Sequence, residues 1–254
     1  MMQEMMNSLQ NNNSSEVISK LEAQAAASQQ NGFLSTSFGN STSSDSNNTV
    51  NFTQKNINNT HLQNVIENNT DIAAFSKVIE ERVFLKNGEK QQIASVKGVD
   101  YNYINVVKLD SAIQVGTWLE KEYPNTSVIG NSLSYKLSAG VASFGETLQI
   151  LVPKTGTGFL NPASSFRSID TQITGTYYGT EEFENKYVFV SNAQAQQLLN
   201  YQDNQFTGIE IKLQSNVNAD DFSEKIQQQL GENYRVQTKA QLNELFYKVI
   251  NTEN

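Results

Sequence analysis

Apolar positions along the chain follow three kinds of pattern, and the pattern changes with position. Val17, Ile18, Leu21 and Ala25 recur at helical spacing from Ser14 onward. This narrow stripe predicts a helix that is exposed or packed on a partner. Residues 30–47 are rich in Ser, Thr, Asn and Gly and predict a loop. Val50 and Phe52 share one face of a short strand at Thr49–Thr53, and Leu62, Val65 and Ile66 give residues 58–69 an apolar helical side. Phe75–Leu85 is rich in β-formers and Gln91–Val99 returns the pattern. Asn87-Gly88 between them predicts a hairpin with a type I′ turn, because both residues tolerate positive φ.

The middle, residues 109–204, is less regular. Thr126–Ile129 predicts a strand leading into a short helix, with Leu133 and Leu137 one turn apart. Glu146–Val152, Ile169–Tyr177 and Tyr187–Val190 predict three further strands, the last of buried type. Ser191 and Gln194 stand at capping-box spacing before a helix whose inner face is Ala195, Leu198 and Leu199. Between two of the strands lies a long loop, Pro153–Ser165, which holds two of the chain's three prolines.

The last part is more regular. Gly208–Leu213 alternates strictly and predicts a half-buried strand. Asn218 caps a helix whose first turn carries Asp220 and Asp221, where carboxylates favour the positive end of the dipole. Phe222, Ile226 and Leu230 form its inner face, and Gly231 ends it. Tyr234 and Val236 give a short strand. Thr238 with Gln241 caps a final helix bearing Leu242, Leu245, Phe246, Val249 and Ile250. The order is β-α-β-β, a β-rich middle, then β-α-β-α. This predicts an α+β fold in which two flanking segments make a split sandwich of helices on a sheet, and the middle is an inserted β-rich subdomain. The corresponding boundaries are a polar helix and loop over 1–47, a first half over 48–108, the insert over 109–204 and a second half over 205–254.

Composition narrows the function. The chain has 254 residues, a net charge of −8 and only 37% hydrophobic residues, so part of it is expected to be solvated or extended. A nucleic-acid partner would need a cationic field to displace counterions from phosphates, and no such field is present. There is no cysteine, which excludes disulfides and thiolate chemistry. No stretch approaches the roughly 20 apolar residues of a bilayer span.

Candidate chemistry is sparse. His61 is the only histidine and stands in an Asn-rich segment without an acid or hydroxyl at a telling spacing. Gly130-Asn131-Ser132-Leu133-Ser134 has the look of a nucleophile elbow, but Ser134 stands where that motif needs glycine. Gly156-Thr157-Gly158 runs into Phe159-Leu160-Asn161-Pro162 and not into a helix, so it predicts a protruding loop and not a phosphate cradle. Glu80 and Glu81, adjacent in a strand, point to opposite faces, and Glu181-Glu182-Phe183-Glu184 predicts a solvated loop. A glycosidase would need two carboxylates facing each other roughly 5–10 Å apart. Nothing in the spacing favours such a pair. These observations predict a binding protein and no enzyme, with no cofactor and no metal. Phe159 and Leu160 at the loop tip are large apolar residues that either meet a partner or tuck back under the loop.

The second half resembles a known family. Ser127-Val128-Ile129-Gly130-Asn131 is followed by Leu137-Ser138-Ala139-Gly140-Val141 and by Leu148-Gln149-Ile150-Leu151-Val152-Pro153. Then come Pro162 and Ser164, Ile173-Thr174-Gly175-Thr176, Tyr187-Val188-Phe189-Val190 with Ala193-Gln194, Gly208-Ile209-Glu210-Ile211 and Leu245-Phe246-Tyr247-Lys248. In order and spacing over roughly 70–254 they resemble the extracytoplasmic domain of lipoprotein-releasing ABC transporter permeases, in the MacB-like periplasmic core domain group. The resemblance implies a porter-like α/β part with an inserted, sabre-like β-rich part, on the periplasmic side of the cell inner membrane. Asn31-Gly32-Phe33 matches the end of the family's first membrane span, whereas residues 1–30 are polar where the family is apolar.

The resemblance also implies partners. ATP hydrolysis would belong to a separate cytoplasmic subunit, reached through membrane helices absent from this chain. A second permease subunit would complete the transporter, as a homo- or heterodimer. The loop after Val152-Pro153 would be a hook that engages a periplasmic lipoprotein carrier or the lipoprotein itself. Pro153, Lys154, Phe159, Leu160, Pro162 and Phe166 are the expected contact residues. An efflux pump or a regulator of cell-wall hydrolases is the alternative within the same group.

Overall fold

The computed structural model describes residues 65–107, 109–141, 147–154, 165–203, 205–232 and 234–242, together with the backbone of residues 49–57. The helix expected from Ser14, the loop over 30–47, His61 and the helix beyond Leu242 lie outside the described residues, as does most of the helix expected at 58–69. Of that last segment, residues 65–67 are helical, and Ile66 is buried.

Among the described residues ten strands form one sheet: β1 Thr49–Ile57, β2 Ile72–Asn87, β3 Lys90–Val99, β4 Ile113–Gly116, β5 Thr126–Gly130, β6 Leu148–Pro153, β7 Phe166–Tyr177, β8 Tyr187–Ser191, β9 Phe206–Leu213 and β10 Arg235–Thr238. Five helices lie wholly within the described residues: α1 Tyr103–Val106, α2 Asn131–Leu137, α3 Glu181–Lys186, α4 Asn192–Leu199 and α5 Ala219–Leu230. The fold is α+β, as the pattern predicts. No helix among the described residues is long and apolar enough to cross a membrane.

The strand order is β10-β1-β9-β2-β3-β8-β5-β7-β4, with β6 pairing both β2 and β7. The pairings β2–β3–β8–β5–β7–β6–β2 therefore close on themselves. β2 makes this possible by its length. Its first residues, Ile72–Val78, pair with β9, and Val78–Asn87 pair with β3. Phe84, Leu85 and Lys86 also pair with β6. The terminal strands β1, β9 and β10 extend the sheet from the first half of β2, and the strands from residues 113–191 close around its second half through β3 and β6.

Alternation along the strands feeds two cores. Val83, Leu85, Val96, Ile150, Val188 and Val190 join one apolar cluster, which α2 closes with Leu133 and Leu137 and α4 with Ala195 and Leu198. Tyr187 and Phe189, one residue out of step, join a second cluster with Tyr103, Trp118, Tyr177 and Phe183. This second core is aromatic. Trp118 and Phe189 have ring centroids 5.2 Å apart, and Phe183 and Tyr187 4.9 Å. The Tyr177 hydroxyl stands 3.0 Å from the carbonyl oxygens of both Phe183 and Tyr187, so the buried phenol is satisfied by backbone. Burial raises its pKa well above the ordinary value, and the Glu184 carboxylate adds to the rise.

The β2–β3 hairpin forms as predicted, with one correction. Asn87 pairs with Lys90, so the two-residue loop is Gly88-Glu89. Only Gly88 has positive φ, at 55°. Positive φ confined to the first central position is the type II′ pattern and not type I′. Asn87 instead donates its side-chain amide to the carbonyls of Leu137 and Ser138 at the end of α2. The end carbonyls of a helix have no partner within it, so the hairpin tip serves as their cap. Lys90 lies beside them, its ammonium bonded to the Ser138 hydroxyl.

Two other local expectations change. Residues 181–184 are not a solvated loop but the start of α3, capped by Thr180, whose hydroxyl accepts from the Phe183 N–H at 3.3 Å. Gly208–Leu213 is not half-buried, because Glu210 is as buried as its neighbours Ile209 and Ile211.

Candidate partner-binding site

The expected contact loop is the connection of a β-hairpin. β6 and β7 pair antiparallel from Leu148↔Thr171 to Pro153↔Phe166. Beyond that pair the Lys154 N–H donates to the Ser165 carbonyl at 2.8 Å, so the ladder extends one step into the loop. Pro153 suits the strand end, where it interrupts no interior ladder bond. Pro153, Lys154 and Phe166 thus meet at the loop root. Phe159, Leu160 and Pro162, the expected tip residues, lie outside the described residues.

The root is held on two sides. The Phe166 ring meets Phe84 edge-on, at 6.0 Å and 89°, the geometry that sets a positive ring edge against a negative face. Ile93 and Leu151 join Phe84 and Phe166 in a small apolar cluster separate from the two cores. Phe84 pairs across the strands with both Ile93 and Leu151, so the cluster is a row across β3, β2 and β6. On the other side, Arg167 donates to the Leu198 carbonyl at 3.0 Å and to the Leu199 carbonyl at 3.3 Å. A guanidinium there satisfies the last carbonyls of α4 and complements the negative end of its dipole. A spacing rule within one segment could not have found Arg167, because its partners lie about thirty residues downstream.

A second constellation escaped the sequence reading altogether. Lys97, Glu80 and Glu210 are 1%, 7% and 2% exposed, with Tyr103 and Tyr187 at 1% and 0%. Burial at this level requires that every charge has a partner. The Lys97 ammonium lies 2.5 Å from Glu210 Oε1 and 3.9 Å from Glu80 Oε2. Each carboxylate also has its own phenol. The Tyr103 hydroxyl donates to Glu210 Oε2 at 2.6 Å, and the Tyr187 hydroxyl donates to Glu80 Oε1 at 2.8 Å. The ammonium stands over both rings, 5.5 Å from the Tyr103 centroid and 5.3 Å from that of Tyr187. Desolvation raises the Tyr103 pKa well above its ordinary value, and Glu210 adds to the rise. Half-buried Lys186, 4.8 Å from the Tyr187 centroid, has its pKa lowered by burial, which Glu80 partly offsets.

The remaining polar groups serve packing. Buried Glu184 accepts from the Ser132 N–H and hydroxyl at 3.2 and 2.8 Å and from the Gly179 N–H at 2.9 Å. Ser132, the residue at the nucleophile position of the elbow-like motif, therefore ties α2 to α3. The Ser134 hydroxyl donates to the Ala139 carbonyl at 2.5 Å. Among the described residues no group of three or more His, Asp or Glu is arranged to hold a metal ion.

Comparison with known proteins agrees with the fold. The family model of the MacB-like periplasmic core domain matches residues 5–229. The lipoprotein-releasing system transmembrane protein LolE of Haemophilus influenzae is 27% identical over 157 residues, which cover 60% of this chain and 36% of LolE. The match thus spans little more than a third of that relative. The periplasmic region of MacB from Actinobacillus actinomycetemcomitans superposes with a TM-score of 0.53 at 12% identity, covering 80% of this chain and 94% of that one. The extracellular domain of the noncanonical ABC-type transporter YknZ from Gram-positive bacteria gives a TM-score of 0.53 at 10% identity, covering 75% and 100%. At these identities the two structures speak for the fold alone. The family match covers most of the sequence, and the chain belongs to the MacB-like periplasmic core domain family, the periplasmic domain of ABC transporter permeases of the MacB and LolE type.

Proposed function

We propose that this chain is the part of a lipoprotein-releasing permease that turns ATPase-driven motion into transfer of a lipoprotein to a periplasmic carrier. The observation that carries the reading is the loop root. A hairpin loop with Phe159 and Leu160 in its sequence springs from a base fixed by Phe84 on one side and by the end of α4 on the other. A base so held passes movement of the sheet to the loop with little loss in the joint. The likeness to LolE supports lipoprotein as the cargo. In this reading residues 48–108 and 205–254 are the two porter-like halves and 109–204 the insert. The chain itself performs no catalysis. ATP is hydrolysed by a separate cytoplasmic subunit, and a second permease subunit faces this one.

Capture of a purified periplasmic lipoprotein carrier on the immobilised chain tests the reading. The wild-type chain is expected to retain the carrier. Phe159→Ala/Leu160→Ala is expected to lose at least about tenfold in affinity, the scale of removing a central apolar anchor. Equal retention by the variant would remove the loop from the account. No retention by the wild-type chain would remove the carrier.

A further inference from the structure

Two buried carboxylates share one ammonium, and the arrangement is nearly symmetrical about it. Glu80 stands directly opposite Lys97 in the β2–β3 ladder. Glu210 is on β9, beyond β2, and the sheet order there is β9-β2-β3. The Lys97 side chain therefore reaches over β2 to hold a strand it does not pair with. Bonded to Glu210, it ties β9 to β3 and, through Tyr103, to α1. Bonded to Glu80, it would stay within its own hairpin, and β9 would keep its backbone ladder to β2 and the Glu210–Tyr103 bond but lose its charged tie to β3.

Both positions are chemically complete. Glu80 keeps the Tyr187 hydroxyl at 2.8 Å, with the Lys186 charge acting on it, and Glu210 keeps the Tyr103 hydroxyl at 2.6 Å. Each carboxylate keeps its phenol when the ammonium moves to the other, and the ammonium stays within about 4 Å of both, so the buried charges remain compensated in either position. The 3.9 Å gap to Glu80 is about 1 Å longer than a charge-assisted hydrogen bond. A four-carbon stem with three rotatable donors can close that gap without moving the backbone.

We infer that Lys97 is a two-position ionic latch, held on Glu210 in this structure and transferable to Glu80, whose transfer removes the side-chain tie between β9 and β3 and leaves β9 on its backbone ladder with β2. β9 carries β1 on its far edge and leads through α5 to β10, so it gathers the strands nearest the described ends of the chain. Force arriving through those strands reaches β3 by the β2 ladder and, while Lys97 is on Glu210, by the latch as well. The latch does not depend on which partner the loop meets.

Hydrogen exchange of the backbone amides tests it in the folded chain, using Glu210→Gln and Glu80→Gln, which keep the side-chain size. Loss of the Glu210 charge sends the ammonium to Glu80. Glu210→Gln is expected to speed exchange in Phe206–Leu213 about tenfold or more, the scale of one hydrogen bond to a charged group, with Lys90–Val99 unchanged. Glu80→Gln leaves Lys97 on Glu210 and is expected to leave β9 at the wild-type rate. A crystal structure of Glu210→Gln is expected to show the Lys97 ammonium about 2.8 Å from Glu80. Equal acceleration of β9 in both variants, acceleration in neither, or an ammonium that stays on residue 210 would overturn the latch.

Discussion

Lys97→Met will unfold at a much lower urea concentration than the wild-type chain, with a loss of about 3–5 kcal/mol in stability. Methionine fills nearly the same space, so packing is kept while the charge is removed. Glu80 and Glu210 are then two buried carboxylates whose shared cation is gone, and the tyrosine hydroxyl bonded to each carries no charge to replace it. Removing one member of a buried ionic group leaves the desolvation cost of the others uncompensated, which is why the effect exceeds that of an ordinary surface pair. A loss of this size is a large fraction of the total stability of a typical domain. The chemistry also predicts partial recovery. In Lys97→Met/Glu80→Gln/Glu210→Gln no buried charge remains at the three positions, and stability should rise above that of Lys97→Met alone. Equilibrium urea unfolding followed by the fluorescence of Trp118, in the adjoining aromatic core, measures both steps. If Lys97→Met loses less than about 1 kcal/mol, the carboxylates are not held by the lysine and the ionic description of this core is wrong.

Gly130→Ala will be the second severe substitution, costing about 3 kcal/mol. Gly130 ends β5 and caps α2 with ordinary extended φ, so conformational freedom is not the reason for glycine. Space is the reason. A β-carbon there would sit 2.1 Å from the carbonyl oxygen of Glu184 and 2.7 Å from its carbonyl carbon and Cα. These are backbone atoms of α3 and cannot swing away as a side-chain end could. The helix must move, and with it Glu184, which then loses its bonds to Ser132 and Gly179. Gly140→Ala is the matched control. Among the described residues its β-carbon would meet the Ser134 hydroxyl at 3.6 Å, an ordinary contact, and stability should stay within about 0.5 kcal/mol. Comparable losses in both variants would mean that α3 does not press on Gly130.

Legibility in the sequence follows the range of the forces involved. The β2–β3 hairpin, the Ser191 cap of α4 and the Asn218 cap of α5 were all readable. Each rests on residues within a few positions of one another. The Ser191 hydroxyl accepts the Gln194 N–H at 3.3 Å, and Asn218 Oδ1 accepts the N–H groups of Asp220 and Asp221 at 2.9 and 3.1 Å. Even there, strand register moved the hairpin turn by one residue, because Asn87 was taken up by pairing with Lys90.

Glu210 shows where local reading stops. Strict alternation placed it on a solvent face, yet that face is covered by the second core. Lys97, the charge that makes its burial tolerable, lies 113 residues away in sequence. α1 was unreadable for a different reason, since four residues are too few to show a helical period. Glu184 and Lys97 look like surface residues by type, and only the pairing of distant strands puts them inside. The candidate site was legible to the same extent. The ends of its loop could be read from Val152-Pro153 and Pro162, but the residues that fix the root could not. Phe84 and Arg167 acquire that role from strands and a helix that meet only in the folded chain.

The measurement that bears most directly on the coupling role uses the full-length permease with its ATPase subunit in membrane vesicles. Lipoprotein release to added carrier and ATP hydrolysis are followed together, for the wild type and for Phe159→Ala/Leu160→Ala. The coupling account predicts that the variant hydrolyses ATP at the wild-type rate while release falls at least about tenfold, the loss expected when the loop's contact with its partner is removed. Release that proceeds undiminished, or that falls only in step with ATP hydrolysis, would contradict it.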